Sequence, residues 1–401
     1  MNDCLFFGSN FPIILFENEE EIIIKPIQFK FENENEKQIK QIASGYFSTI
    51  FLFENGKAIE YLNEEYSNSN QNPEKIQIEN IQKVSVGVHN EAILTKEGNV
   101  FAKGTYINSK NPKEFINISS LIEDKNDRII EDIVCGLSSI YLLTSNQNVY
   151  GIGSNYYGQF GVKLPIQTEK PILMMKNVSK IFSGTDSHSV FLLNSNQKLF
   201  GCGNNENDQL GLGKSKKSPK YTKIQKLTTI KIPQGKIIDI QCGNFHSIML
   251  IEEEYQNKNE NPKRKLYSTG DYRFTGLNKN QNTYEFTEIK LSLFKNDGDN
   301  ILEISVGASH TLILTKKGKL IGFGISYYGQ LANRQEEYHK TIPFQIKIPE
   351  LRFNEEISNY HISCGENTSF LYYSPLSFSN LEEDLIKLFR RKEFCDISFK
   401  T

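Results

Sequence analysis

The sequence predicts an all-β protein, a seven-bladed β-propeller closed by pairing of its N- and C-terminal strands. Three observations support this fold class. A glycine-anchored signature recurs seven times, each copy leads into short strands joined by a tight turn, and the half-unit absent after the last copy stands at the N-terminus. Repeats of about 20–50 residues are typical of propellers and solenoids, where each unit buries its apolar face against its neighbours.

The signature begins with a small or apolar residue and a glycine, and passes through a polar residue into an apolar run. Two clear copies are CGNFHSIMLI from residue 242 and VGASHTLILT from residue 306. We expect each anchor glycine where strands of neighbouring blades crowd together and a Cβ atom would clash. The seven anchors are Gly45, Gly87, Gly136, Gly184, Gly243, Gly307 and Gly365.

Each unit also contains a predicted hairpin. In the sixth unit, the apolar run at 311–315 is typical of a strand buried on both faces. The turn at 316–319 places Gly318 where a positive φ is expected, and a second strand follows at 320–323.

Two units have Gln147 and Gln197 where the other turns have glycine. Asn146 and Asn196 precede them, and asparagine tolerates the left-handed region. We therefore expect these two turns to differ in type from the glycine turns.

A glycine-rich stretch, GIGSNYYGQFG at 151–161, raises the question of a phosphate-binding loop. A dinucleotide fingerprint needs its third glycine earlier than Gly158 and a helix directly after it. The stretch also recurs as GCGNNENDQLG at 201–211 and GFGISYYGQLA at 322–332, which indicates architecture rather than a cofactor site. The first unit departs from this pattern, since Leu62 replaces the second glycine.

The N-terminal stretch CLFFGSN matches LFGCGNN from residue 199 and LIGFGIS from residue 320. The last anchor, Gly365, is followed by the predicted strand 370–373 but by no second half-unit. We therefore expect the N-terminal strand to complete the last blade, which removes an exposed sheet edge.

The composition limits the classes of partner and compartment that we expect. The net charge of −2 provides no global basic field, so a nucleic-acid partner is not expected. No secretory signal or membrane span is visible, and the six cysteines contain no C-x-x-C pair. Cys135, Cys242 and Cys364 precede anchor glycines and are predicted to be small buried residues. We expect an intracellular protein, cytoplasmic or nuclear or both, with no cofactor or metal.

The combined pattern C/V-G-x-x-H-S/T, G-x-G-x-N-x-x-G-Q-L-G resembles the regulator-of-chromosome-condensation repeat family over residues 1–375. It is clearest in the third, fourth and sixth units and degenerate in the first. The resemblance implies a seven-bladed propeller. Members of this family include a guanine-nucleotide exchange factor for Ran that binds nucleosomes, and components of ubiquitin ligases, ciliary proteins and signalling scaffolds.

Residues 376–401 form a predicted linker helix and strand. Leu381, Leu385, Leu388 and Phe389 share one helical face, and FCDISF at 394–399 resembles the first strand of a BTB/POZ domain. Either the chain is a truncated form of a BTB/POZ-containing protein or the resemblance is accidental, and we favour truncation.

Two sets of side chains are candidate sites. We interpret His188, His246 and His310 as equivalent residues that follow their anchor glycines, and we favour a structural role in hydrogen bonding to a neighbouring blade. The predicted partner contacts are Tyr156, Tyr157, Tyr327, Tyr328, Asp186, Asp208 and Asp271. For the tyrosines the alternative is that they cover a blade edge, and the sequence does not assign the aspartates to a face.

These features favour a non-enzymatic scaffold that recruits other proteins, as the substrate-recruiting part of a BTB-linked ubiquitin ligase of the cullin type. The alternative is a guanine-nucleotide exchange factor for a Ran-like small GTPase, which would need acidic or polar residues gathered on one face. A hydrolytic or sugar-binding propeller lacks a supporting carboxylate pair.

Overall fold

A computed structural model describes residues 4–8, 23–29, 38–62, 74–163, 165–213, 223–253, 262–291, 298–332, 338–347 and 357–374. They form seven four-stranded antiparallel sheets, one for each anchor glycine, and the predicted all-β propeller class is confirmed. The helices in these ranges are three short 3-10 turns, Ser119–Leu121, Lys125–Asp127 and Ile357–Asn359. None of the described helices has the length and apolar character needed to cross a membrane. The predicted helix and strand at 376–401 lie outside the described residues.

The strands are numbered along the chain. The first fourteen are β1 Cys4–Gly8, β2 Ile23–Phe29, β3 Ile39–Ser44, β4 Ser48–Phe53, β5 Ala58–Leu62, β6 Glu74–Lys75, β7 Ile81–Val86, β8 Asn90–Thr95, β9 Val100–Gly104, β10 Ile116–Asn117, β11 Ile130–Cys135, β12 Ser139–Thr144, β13 Val149–Ser154 and β14 Gln167–Met175. The rest are β15 Val178–Phe182, β16 Ser189–Asn194, β17 Leu199–Asn204, β18 Lys223–Ile230, β19 Lys236–Cys242, β20 His246–Glu252, β21 Arg264–Gly270, β22 Thr283–Glu288, β23 Ile301–Val306, β24 His310–Thr315, β25 Leu320–Ile325, β26 His339–Ile346, β27 Tyr360–Cys364 and β28 Thr368–Tyr373.

Blades one to six each use four consecutive strands, starting with β3, β7, β11, β15, β19 and β23. The first strand of each blade contacts the first strand of the next around the whole ring, and β27 contacts β3. These first strands line an axial cavity of about 880 Å³. The second strands are apolar and buried on both faces, as in β4, β8, β12 and β24, because each is sandwiched between neighbouring blades.

Blade seven is composite, with the strand order β2-β1-β28-β27. Cys4 lies opposite Tyr372 and Gly8 lies opposite Thr368 in an antiparallel register. The predicted closure by the N- and C-terminal strands is therefore confirmed. It leaves β1 without a free edge.

The anchor glycines lie where the prediction placed them, at close approaches between blades. A Cβ atom on Gly87 would clash with the carbonyl oxygen of Gly136, and one on Gly184 would clash with that of Cys242. The five described cysteines, Cys4, Cys135, Cys202, Cys242 and Cys364, are buried and unbridged, as expected for three of them from the repeat.

The prediction about the glutamine turns is wrong. Gln147 and Gln197 themselves have positive φ values of 61° and 59°, close to the 76° of Gly318. The amide of Gln147 donates to the Thr144 carbonyl at 2.9 Å, as the Gly318 amide does to Thr315 at 3.0 Å. The glutamine and glycine turns therefore share one backbone conformation and one hydrogen bond.

One buried ion cluster joins blades one and two. Lys103 Nζ lies 2.6 Å from Glu60 Oε2 and 3.2 Å from Glu91 Oε2. Burial raises the pKa of Glu60 to about 7, and the Glu91 charge adds to this. The lysine therefore compensates two carboxyl groups that water reaches poorly.

Candidate functional site: the loop face

The antiparallel order of each blade sends two kinds of loop to one end of the propeller. These are the anchor loops between first and second strands and the loops between third and fourth strands. We call this end the loop face, and its described residues are 45–47, 87–89, 105–115, 136–138, 155–163, 165–166, 184–188, 205–213, 243–245, 271–282, 307–309, 326–332, 338 and 365–367. The opposite end carries the tight hairpin turns and is called the turn face.

All seven predicted partner contacts lie on the loop face, including the aspartates that the sequence left unassigned. The two kinds of loop are hydrogen-bonded together there. The Asp271 amide donates to the Phe245 carbonyl at 3.0 Å, and the Ser154 amide donates to the Ser138 carbonyl at 2.9 Å. The seven residues thus share a face, but the structure distributes them over several blades.

Asp186 lies in the anchor loop of blade four, which is longer than the others. Its neighbour Thr185 donates from Oγ1 to the Ser44 carbonyl at 3.2 Å, so this loop reaches blade one. Asp186 is only 6% exposed, and burial, followed by the charge of Glu366, raises its pKa to about 8. Burial raises the pKa of Glu366 to about 7. Asp186 is therefore a mostly protonated group near neutral pH rather than an exposed acidic contact.

The other two aspartates are also engaged within the chain. Asp271 is 5% exposed and accepts from Arg273 Nε at 3.0 Å and Nη2 at 2.7 Å. Asp208 has a positive φ of 66° and accepts from Asn282 Nδ2 at 3.4 Å. Arg273 presents an exposed guanidinium in this region, with its side chain 45% exposed, and the sequence analysis did not predict it.

The four tyrosines do not all have the same role: some are exposed as partner contacts would be, and one covers a blade edge. Tyr156, Tyr327 and Tyr328 are 56%, 44% and 43% exposed, as a contact residue requires. Tyr157 is half-buried and packs against the His188 ring with a centroid distance of 4.3 Å. Three of the four therefore present ring surface to solvent, and the fourth covers a blade edge.

The motif N-x-x-G-Q supplies internal hydrogen bonds to the loop of blade three that carries Tyr156 and Tyr157. Asn155 Nδ2 donates to the carbonyls of Val162 and Pro165 at 3.0 and 2.8 Å, and its Oδ1 accepts from the Phe160 amide at 2.9 Å. Gln159 Oε1 accepts from the Tyr157 amide at 2.8 Å. The loop is thus braced from inside, and its aromatic side chains stand on a fixed scaffold.

Two of the candidate histidines join neighbouring blades. His246 Nε2 lies 3.0 Å from Thr311 Oγ1, and His310 Nε2 lies 2.9 Å from Ser369 Oγ. Burial lowers the pKa of both imidazoles to about 3. Their role is structural, as predicted, and the partner of each Nε2 atom is a hydroxyl group rather than the predicted backbone group. The described residues contain no group of three His, Cys, Asp or Glu side chains able to hold a metal ion.

The predicted equivalence of His188 with these two histidines is wrong. Ser189 pairs with Gly203 in the register that His310 has with Gly324, so Ser189 holds the equivalent place. The longer anchor loop of blade four shifts His188 one residue earlier. It lies on the loop face, where burial lowers its pKa to about 4.

Comparison with known proteins agrees with the repeat. A family model described as the regulator of chromosome condensation (RCC1) repeat matches residues 196–250. A second model with this description matches residues 130–159 and 301–330. The chain therefore carries repeats of this type, and the matched segments fall in blades three to six.

Curated relatives match only in part. The fission yeast BTB/POZ domain-containing protein 1 is 31% identical over 114 residues, which are 28% of this chain and 8% of that protein. The human probable E3 ubiquitin-protein ligase HERC4 is 24% identical over 274 residues, 65% of this chain and 24% of that protein. The matches thus span a quarter or less of these relatives.

Solved structures share the fold. Human WBSCR16 has a TM-score of 0.72 at 18% identity, covering 94% of this chain and 100% of that one. Prp20p of Saccharomyces cerevisiae has a TM-score of 0.74 at 18% identity, covering 96% and 94%. At this identity the likeness shows the fold alone.

Proposed function

We propose that the chain is a non-enzymatic protein-interaction module whose loop face recruits a client protein. The observation that carries this proposal is that the exposed aromatic side chains and the engaged polar side chains lie in different places. Aromatic rings stand exposed on braced loops of one face, whereas the polar groups that could suggest catalysis, such as His246 and His310, are engaged between blades. Rigid aromatic anchors with nearby charge, such as Arg273, are typical of protein-binding surfaces.

We further propose that the client is delivered to a ubiquitin ligase. Two partial relatives carry the names of a BTB/POZ domain protein and a probable E3 ubiquitin-protein ligase. The resemblance of residues 394–399 to the opening strand of a BTB/POZ domain points the same way, and these residues lie outside the described ranges. In a longer protein, a BTB/POZ part would dimerise or bind a cullin-type ligase.

The test is affinity capture from extract of the protein's own cells, followed by mass spectrometry. The loop-face variant replaces Tyr327 and Tyr328 by alanine, and the matched control replaces the exposed Lys316 and Lys317 on the turn face. A client retained by the parent and the control but lost by the tyrosine variant supports the proposal. A client lost only with the turn-face variant would contradict it.

A second candidate function is nucleotide exchange on a Ran-like GTPase. Asp186, Asp208 and Asp271 share one face but are engaged within the chain, so the support for this candidate is the Prp20p structure, which is described with binding to Gsp1p and histones. The net charge of −2 disfavours the nucleosome half of that role. If the chain does not accelerate release of bound nucleotide from the GTPase, this candidate is dismissed.

A further inference from the structure

We propose that the corner between the rings of Tyr156 and Tyr157 is a binding site for a lysine ammonium group of a partner protein. The chain's own Lys223 occupies this corner when no partner is bound. The inference rests on the proposed function, because the corner lies on the loop face. It adds a ligand chemistry and an intramolecular competitor to that surface.

The geometry is that of a cation site. The two rings stand at 86° with centroids 5.1 Å apart. Lys223 Nζ lies 3.4 Å from the Tyr156 centroid and 5.1 Å from the Tyr157 centroid. Both distances fall within the range of about 6 Å in which a ring quadrupole attracts an ammonium group. Two ring faces therefore converge on one charge.

The corner is built before a ligand arrives. Tyr157 is fixed from behind by the His188 ring at 4.3 Å and by the hydrogen bond from its amide to Gln159. His188 is neutral near pH 7 because burial lowers its pKa to about 4, so it does not repel a cation. Glu206 is close enough for its charge to contribute, after burial, to the raised pKa of Tyr157. A negative charge beside the corner favours an ammonium ligand.

The present occupant is displaceable. Lys223 is exposed at the first position of β18 in blade four, opposite Asn204, whereas the tyrosines belong to blade three. Among the described residues its ammonium lies over the two tyrosine rings and forms no ion pair, so leaving the corner breaks cation–π contacts. An exposed contact of this kind is weak, which lets a lysine on a bound partner take its place.

The equivalent tyrosines of blade six supply a matched control. Tyr327 packs on Tyr338 at 4.9 Å with an interplanar angle of 33°, and its hydroxyl lies 2.9 Å from His339 Nε2. These two rings are inclined at 33° rather than standing at a right angle, so they do not form the same corner. Replacing Tyr327 therefore tests whether any exposed tyrosine of the loop face binds a lysine ammonium group equally well.

The experiment measures dissociation constants by NMR for a blocked Gly/Ser peptide with one central lysine, and for the same peptide with norleucine. Lys223→Ala should bind the lysine peptide about two- to fivefold more tightly than the parent, since the competitor is gone. In that background Tyr156→Phe should retain binding, Tyr156→Ala should lose it, and Tyr327→Ala should leave it unchanged.

Equal affinity of the parent and Lys223→Ala, no binding by either, or equal binding of the norleucine peptide would overturn the inference. Loss of binding in Tyr156→Phe would overturn it too, because the phenyl face still attracts a cation. Client capture through the blade-six tyrosines is a separate measurement. The recruiting function can therefore stand when the lysine site fails, and the two failures are distinguishable.

Discussion

Replacing His310 by glutamine should make the protein less sensitive to acid. His310 is fully buried, and burial followed by the neighbouring His246 lowers its pKa from 6.5 to about 3. Its Nε2 atom lies 2.9 Å from Ser369 Oγ across the contact between blades six and seven. Glutamine retains a polar side chain at this position but does not titrate.

The magnitude follows from proton linkage. Below pH 6.5 the unfolded chain protonates this imidazole, whereas the folded protein does so only near pH 3. The contribution of the neutral His310 imidazole to the free energy of unfolding is therefore complete above pH 6.5, and it is lost as the pH falls towards 3. Each pH unit inside this window is worth about 1.4 kcal/mol, so His310 alone should account for about 2 kcal/mol between pH 7 and pH 5.

The assay is urea unfolding of the parent and His310→Gln at pH 7 and pH 5. In the parent protein other groups oppose the effect of His310 on the free energy of unfolding. The raised pKa values of Asp186 (about 8) and Glu366 (about 7) favour folding at lower pH. These effects are common to both proteins and cancel when the two acid-induced losses are subtracted. The exposed His339, changed to glutamine, is the control.

We expect the loss of unfolding free energy between pH 7 and pH 5 to be about 2 kcal/mol smaller in His310→Gln than in the parent. The His339→Gln control should behave as the parent. Equal losses in the parent and His310→Gln would refute the reasoning, because they would show that the buried imidazole accepts a proton without unfolding.

Three further outcomes test the ring. Deleting residues 1–10 should lower the melting temperature far more than deleting 380–401, because β1 pairs with β28; equal melting temperatures would contradict the closure. Gly184→Ala should destabilise the protein by roughly 1–3 kcal/mol in urea unfolding, and more than Gly201→Ala, whose Cβ would meet side-chain carbons of Ile230 and Leu210 rather than a backbone carbonyl; the reverse order would count against the close approach of blades. Lys103→Met should cost about 3–5 kcal/mol at pH 8 and less at pH 5, where Glu60, whose pKa burial raises to about 7, is protonated; a loss independent of pH would show that the Glu60 carboxyl is not a buried charge at pH 8.

The ring, its closure and the anchor glycines could be predicted from the sequence because each depends on a local, recurring constraint. Gly184 is needed where a carbonyl oxygen of the next blade leaves no room. Asn155 and Gln159 recur as Asn205 and Gln209 because the two loops make the same internal hydrogen bonds. Such requirements act on residues close in the chain or at a fixed place in the repeat.

The failures arose where the repeat is irregular or the partner is distant. The longer anchor loop of blade four displaced His188 from the register that spacing alone suggested. The state of Asp186 depends on burial and on Glu366 of another blade, and the corner at Tyr156 depends on Lys223 of the next blade. Spacing within one unit does not specify which loops of different blades meet on a shared face.

The composite blade has a consequence for synthesis. Cys4 is made first, and its partner Tyr372 follows 368 residues later. At about 5–20 residues per second, roughly 20 to 70 s separate the two on the ribosome. During that interval β1 and β2 form at most a hairpin, and the edge of β1 that later faces β28 is open to other chains. Crowded polysomes, where nascent copies lie side by side, are therefore where this propeller is most exposed to strand exchange between molecules.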